Sequence, residues 1–139
     1  MSTRNAATAR RIFETLSGGD ADDLSSTVEE CYATNCAHHG MGSELSGPEG
    51  IKQLAKGFLT GFPDMKITVE SQGEEADFVV TRVVVDATNT GEFNGFPATG
   101  KSMHIQLLSM MRFTDGKISE EWEEANLLGG MRQLGHVAE

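Results

Sequence analysis

Basic residues are scarce in this chain: Lys and Arg total 11 against 21 Asp and Glu, for a net charge of −10. That sign repels phosphate backbones, and no Lys/Arg cluster opposes it locally, so nucleic acid is excluded as a partner. Long apolar runs are absent too. No window reaches the roughly 20 apolar residues of a membrane span, and the N-terminal MSTRNAATARR lacks the apolar segment of a secretory signal. The expectation is a cytoplasmic protein with no membrane partner. The two cysteines, Cys31 and Cys36, have no metal-type Cys/His set around them and read as reduced structural thiols, so a zinc site is not expected. No glycine-rich loop follows a strand to open a helix, and no Ser/His/Asp order is visible, which sets aside nucleotide binding and serine hydrolysis. Nothing in the 139 residues marks a linker or repeat, so residues 1–139 form one domain.

What is present is periodic. Ala6, Ala9, Phe13 and Leu16 recur at helical spacing, and Ser17-Gly18-Gly19-Asp20 ends that helix. Asp20 caps a short second helix, about 21–27, and Tyr32 to His39 continues as an extended segment without a clean period. Ser46-Gly47-Pro48-Glu49 starts a third helix, with Ser as cap, Pro in the first turn and an acid near the positive end. Its apolar stripe is Ile51, Leu54, Phe58 and Leu59. After Gly61-Phe62-Pro63-Asp64 the pattern alternates over 65–70, 77–87, 102–113 and 117–126. Helices followed by long strands predict an α+β domain, with helices laid on one face of an antiparallel sheet.

Thr114-Asp115-Gly116-Lys117 has the centre of a two-residue type I′ hairpin, which sets a register. Residues whose numbers sum to 231 then face one another: Phe113 with Ile118, Ser109 with Trp122, Leu107 with Glu124 and Ile105 with Asn126. By strand parity these residues and Met111 share the face toward the helices. Gln106, Leu108, Met110 and Arg112 lie on the other face with Ser119, Glu121, Glu123 and Ala125, and its apolar members Leu108 and Met110 predict a homodimer or homotetramer contact.

Several pieces in order carry a resemblance: Phe62-Pro63-Asp64, the stretch GEFNGFPATGK from Gly91 to Lys101, the FTDGKI hairpin followed by Glu121 and Trp122, and the closing Gln133-Leu134-Gly135. Over nearly its whole length the chain resembles the SnoaL-like polyketide cyclases, of the cone-shaped α+β barrel superfamily that includes ketosteroid isomerase. The resemblance implies a curved sheet around a deep apolar pocket for a small hydrophobic ligand, and aldol chemistry with no metal or cofactor. Phe93, Phe96 and Pro97 would then wall the pocket mouth, or finish the core.

The same resemblance implies an aspartate four residues after the tryptophan and a histidine on the preceding strand. Here the first position is Asn126, which cannot take a proton near neutral pH, and the second falls among Met110, Met111 and Arg112. Glu124 shares Asn126's face and is the substitute proton acceptor if it points inward. A bulge or twist would turn it to solvent instead. Asn126 and His39, the family's pocket histidine by position, would orient the substrate or stabilise an oxyanion; Trp122, Phe93, Phe96, Leu107, Ser109, Met111 and Phe58 would shape the cavity. Two functions follow: acid/base cyclisation, isomerisation or dehydration of a hydrophobic carbonyl compound, or a non-catalytic binding module or oligomeric scaffold on the same fold.

Overall fold

The computed structural model describes residues 3–40 and 43–137, the side chain of Ser43 excepted. Three helices come first, α1 (Arg4–Gly18), α2 (Ala21–Cys31) and α3 (Gly47–Gly61), with strands β1 (Tyr32–Gly40) and β2 (Ser43–Ser46) between the last two. Then follow β3 (Lys66–Glu75), β4 (Phe78–Thr88), β5 (Ser102–Thr114), β6 (Lys117–Ala125) and a closing helix α4 (Leu127–Leu134). The six strands form one sheet in the order β2-β1-β6-β5-β4-β3. Its ends do not pair, so the expected cone is an unclosed curved sheet. All pairings are antiparallel except that of β1 with β6, which is parallel. No helix among the described residues is long and apolar enough to cross a membrane.

The helix ends follow from local chemistry. Thr3 accepts from the amide of Ala6, Gly19 takes the left-handed C-cap with φ 72°, and the Asp20 carboxylate accepts from the amides of Asp22 and Asp23. Val28 and Cys31 continue the buried stripe of α2, which carries that helix past the expected end at Thr27. Ser46 occupies the N-cap of α3 with an extended backbone, but its side chain makes no capping bond. The inner stripes of α1 and α2, with Ile51 and Ala55 of α3, pack on Val79, Val83 and Val85 of β4 and on Met103, Ile105 and Leu107 of β5 to form the core.

The β5–β6 hairpin turns as expected: Asp115 and Gly116 both have positive φ, 51° and 79°, and Phe113 faces Ile118. The literal register then stops. Ser119 is an extra residue, so Arg112 pairs with Glu120 and Met110 with Trp122. Its hydroxyl accepts from Thr114 at 3.0 Å and donates to the Arg112 carbonyl at 3.2 Å, which holds the bulge in place. From the bulge onward every β6 side chain lies on the face opposite to the one expected. Trp122, Glu124 and Asn126 go out; Glu121 and Glu123 go in.

The stretch 89–101 folds back on the end of α3. Asn89 is fully buried: its amide nitrogen donates to the carbonyls of Gly61 and Gly91, and its oxygen accepts from Thr99 and lies 2.8 Å from His136 Nε2. Gly91 sits so close to the Thr60 carbonyl that a Cβ there would collide with it. The Phe93 ring packs at 5.2 Å on both Phe58 and Phe62, whereas Phe96 is 41% exposed against His136. Of the two expectations for this stretch, core completion describes Phe93.

Candidate active site

Between the helices and the concave face of the sheet lies a partly open apolar cavity. Phe13, Leu24, Phe58, Met65, Val83 and Leu107 are among its walls. Its polar lining is confined to Tyr32 and His38 from β1 and Glu121 and Glu123 from β6. The parallel pairing of these two strands brings the four together: His38 is in register with Glu121 and Gly40 with Glu123.

Glu121 is 2% exposed and has two fixed donors. The Tyr32 hydroxyl donates to Oε1 at 2.5 Å and the Ser109 hydroxyl to Oε2 at 3.0 Å. Burial, then the neighbouring Glu123 charge, push the Glu121 carboxyl up to about 8, against the opposing pull of His38 and the two hydroxyls. A carboxylic acid that keeps its proton at neutral pH results. The Tyr32 phenol is likewise pushed up, first by burial and then by Glu121.

His38 is also 2% exposed, and its Nε2 lies 2.6 Å from Glu123 Oε1. Burial pulls its pKa down, but the hydrogen bond to Glu123 and the surrounding carboxyls of Glu121, Glu123 and Glu44 outweigh burial and raise it. The other ring nitrogen, Nδ1, is buried without a hydrogen-bond partner among the described residues. One ligand atom from each of His38, Glu121 and Glu123 lies within 4.8 Å of the others, a spacing that also suits a metal ion. Two adjacent carboxyls in different environments, one neutral and one paired to an imidazole, are equally suited to opposite proton-transfer roles.

The sequence-based candidates divide. Phe58 and Leu107 line the cavity, and Ser109 reaches it through Glu121. Met111 is buried, but in the core rather than the cavity wall. Glu124 is exposed on the outer face, opposite Leu108, because the Ser119 bulge inverts the parity. Asn126 is exposed as the N-cap of α4, with Oδ1 accepting from the Gly129 amide at 2.8 Å. Trp122 is on the outer face, stacked at 5.5 Å on His39, which hydrogen-bonds Glu44 and Glu120 there. Phe93 stands behind Phe58, and Phe96 is outside. The inward histidine is His38, one residue from the expected one.

The sequence reading did not place Glu121, Glu123, His38 and Tyr32 at the cavity, although the strand carries a signal for two of them. Glu120 and Glu124 have one parity and Glu121 and Glu123 the other, so either register buries acids on the cavity side.

The match to known proteins spans the same architecture. The family model of the SnoaL-like polyketide cyclases matches residues 7–134. The aklanonic acid methyl ester cyclase DnrD of Streptomyces peucetius is 28% identical over 128 residues, which is 91% of this chain and 87% of that one. The nogalonic acid methyl ester cyclase of Streptomyces nogalater is 26% identical over 119 residues, 84% of this chain and 87% of that one. Among solved structures, AclR of Streptomyces galilaeus superposes with a TM-score of 0.82 at 27% identity, over 97% of this chain and 83% of AclR. A Jannaschia protein named for SnoaL-like polyketide cyclases reaches 0.88 at 21% identity, over 96% and 93%, a likeness of fold. The chain, with its curved sheet, apolar cavity and polar end, belongs to the SnoaL-like polyketide cyclase family.

Proposed function

We propose that the cavity closes a ring by intramolecular aldol addition in a small hydrophobic carbonyl compound, with Glu123 as base and Glu121 as acid. Glu123, held by His38, takes a proton from the carbon next to a carbonyl. The resulting enolate carbon attacks a second carbonyl of the same molecule, forming the carbon–carbon bond. Glu121 gives its proton to the new alkoxide, and the proton on Glu123 then returns to Glu121. Atoms balance, and proton transfers alone complete the cycle. The cavity walls exclude water and hold the two carbonyls in reach of one another. Isomerisation or dehydration would use the same two groups.

The observation that carries this reading is the buried, doubly hydrogen-bonded Glu121 beside an ion-paired Glu123 at the only polar part of the cavity lining among the described residues. The methyl esters named for its relatives are the first substrates to try. On them, Glu121→Gln and Glu123→Gln should each lose turnover by roughly a hundredfold or more, whereas Glu124→Gln should match the unaltered chain. Equal turnover in all four proteins would end the assignment.

A second reading, a non-catalytic binding module, is favoured by Asn126: it carries no titratable proton and its side chain is occupied in capping α4. Under that reading Glu121→Gln leaves ligand affinity intact and there is no turnover to lose.

A further inference from the structure

Resting on the aldol reading, the remaining question is what meets the oxygen of the carbonyl as it becomes an enolate. Tyr32 and Ser109 are committed to Glu121, and Glu121 and Glu123 bring negative charge or its potential to the same end of the cavity. His38 is different. Its ring lines the cavity, its Nε2 is fixed on Glu123, and its Nδ1 is buried with no partner among the described residues. A buried polar atom left unpaired is costly, so a native structure retains one where a ligand or an ordered molecule completes it.

We propose that His38 Nδ1–H is the hydrogen-bond donor to the ligand's carbonyl oxygen, and that the site therefore selects hydrophobic compounds bearing an oxygen acceptor, such as a ketone, an enolate or a phenolate. The imidazole is set for this by its neighbours. Glu123 fixes the ring orientation through Nε2, and the carboxylate next to it favours the doubly protonated ring in which both nitrogens donate. In the reaction, the negative charge leaving the substrate carbon collects on the oxygen beside Nδ1, where a preorganised donor in a water-poor site lowers the barrier. The same geometry disfavours a free carboxylate at this end, because two glutamates stand around the one imidazole.

The test uses two probes of nearly equal shape, 2-naphthol as the oxygen-bearing mimic of an enolate and naphthalene as the same surface without oxygen. Binding of each to the full chain and to His38→Gln is measured by fluorescence, and the His38 ring of the unaltered chain is followed by nitrogen-15 NMR. The proposal predicts that 2-naphthol, but not naphthalene, shifts the Nδ1 resonance. It also predicts that His38→Gln weakens 2-naphthol roughly ten- to hundredfold, as expected for a charged hydrogen bond, and leaves naphthalene unchanged. If 2-naphthol binds and Nδ1 does not respond, the donor role is overturned while the Glu121 and Glu123 assignment stands. Equal weakening of both probes, with no Nδ1 response, overturns it in favour of a role in cavity shape. If neither probe binds the unaltered chain, the cavity is not a ligand site, and both the donor role and the aldol reading fall together.

Discussion

The Tyr32 hydroxyl and the Glu121 carboxyl, 89 residues apart in the chain, meet at 2.5 Å in the interior. A parallel strand pairing that no local pattern announces makes that contact. Tyr32→Phe removes a donor that favours the ionised carboxylate, so the Glu121 pKa should rise further above about 8. Carbon-13 NMR of the labelled carboxyl measures it directly. An unchanged value would mean that the bond contributes nothing to the proton's hold.

Stability should fall with pH because of the same group. The folded-state pKa of Glu121, about 8, lies above its ordinary value of 4.5, so the unfolded chain gives up this proton first. Below 4.5 the contribution is fully present. It is then lost as pH rises, at up to about 1.4 kcal/mol per pH unit, until the folded carboxyl ionises near 8. His38, raised from 6.5, adds the same sign as pH rises past its ordinary value. Urea midpoints across pH 4 to 9 should therefore decline less in Glu121→Gln than in the unaltered chain, and parallel curves would contradict the shift.

Gly40 governs where Glu123 stands. Its φ is 111°, and a Cβ there would collide with the Glu123 backbone carbonyl on the neighbouring strand. Gly40→Ala should cost about 1–3 kcal/mol of stability and push Glu123 from His38. The check is a denaturant melt together with the His38 titration, whose raised value should drop. A stable variant with His38 unchanged would show that the close approach has no bearing on the pair.

The outer face carries Val80, Leu108 and Met110, at 41%, 50% and 36% exposure, on adjoining strands with Met110 opposite Val80. A second copy of this chain is the proposed occupant. Leu108→Lys should move the size-exclusion profile toward a smaller species, and an unchanged profile would remove that contact.

Periodicity made much of this fold legible. The capped helices, the alternation of β4 and β5 and the Asp-Gly turn all express interactions within a few residues of one another. Met103 to Phe113 face inward at every second position, as their alternation predicts. What local pattern did not reveal depends on partners far away in the chain. The bulge at Ser119 is one residue in a strand of similar polar residues, yet it exchanges Glu124 for Glu123 and Trp122 for Glu121. His38 and His39 differ in nothing but parity, and the pairing of β1 with β6 decides between them. Helix α4 has little local signal, because Gly129 and Gly130 depress helix propensity in its middle, although Asn126 and Gly135 cap its two ends.

The most direct test of the central claim is the pH titration of the Glu121 carboxyl by carbon-13 NMR, assigned with Glu121→Gln. The account predicts a midpoint near 8 for Glu121 in the folded chain and its ordinary value of 4.5 in the unfolded chain. A folded Glu121 that titrates at or below that ordinary value would leave no neutral acid in the cavity and would contradict the proposed chemistry.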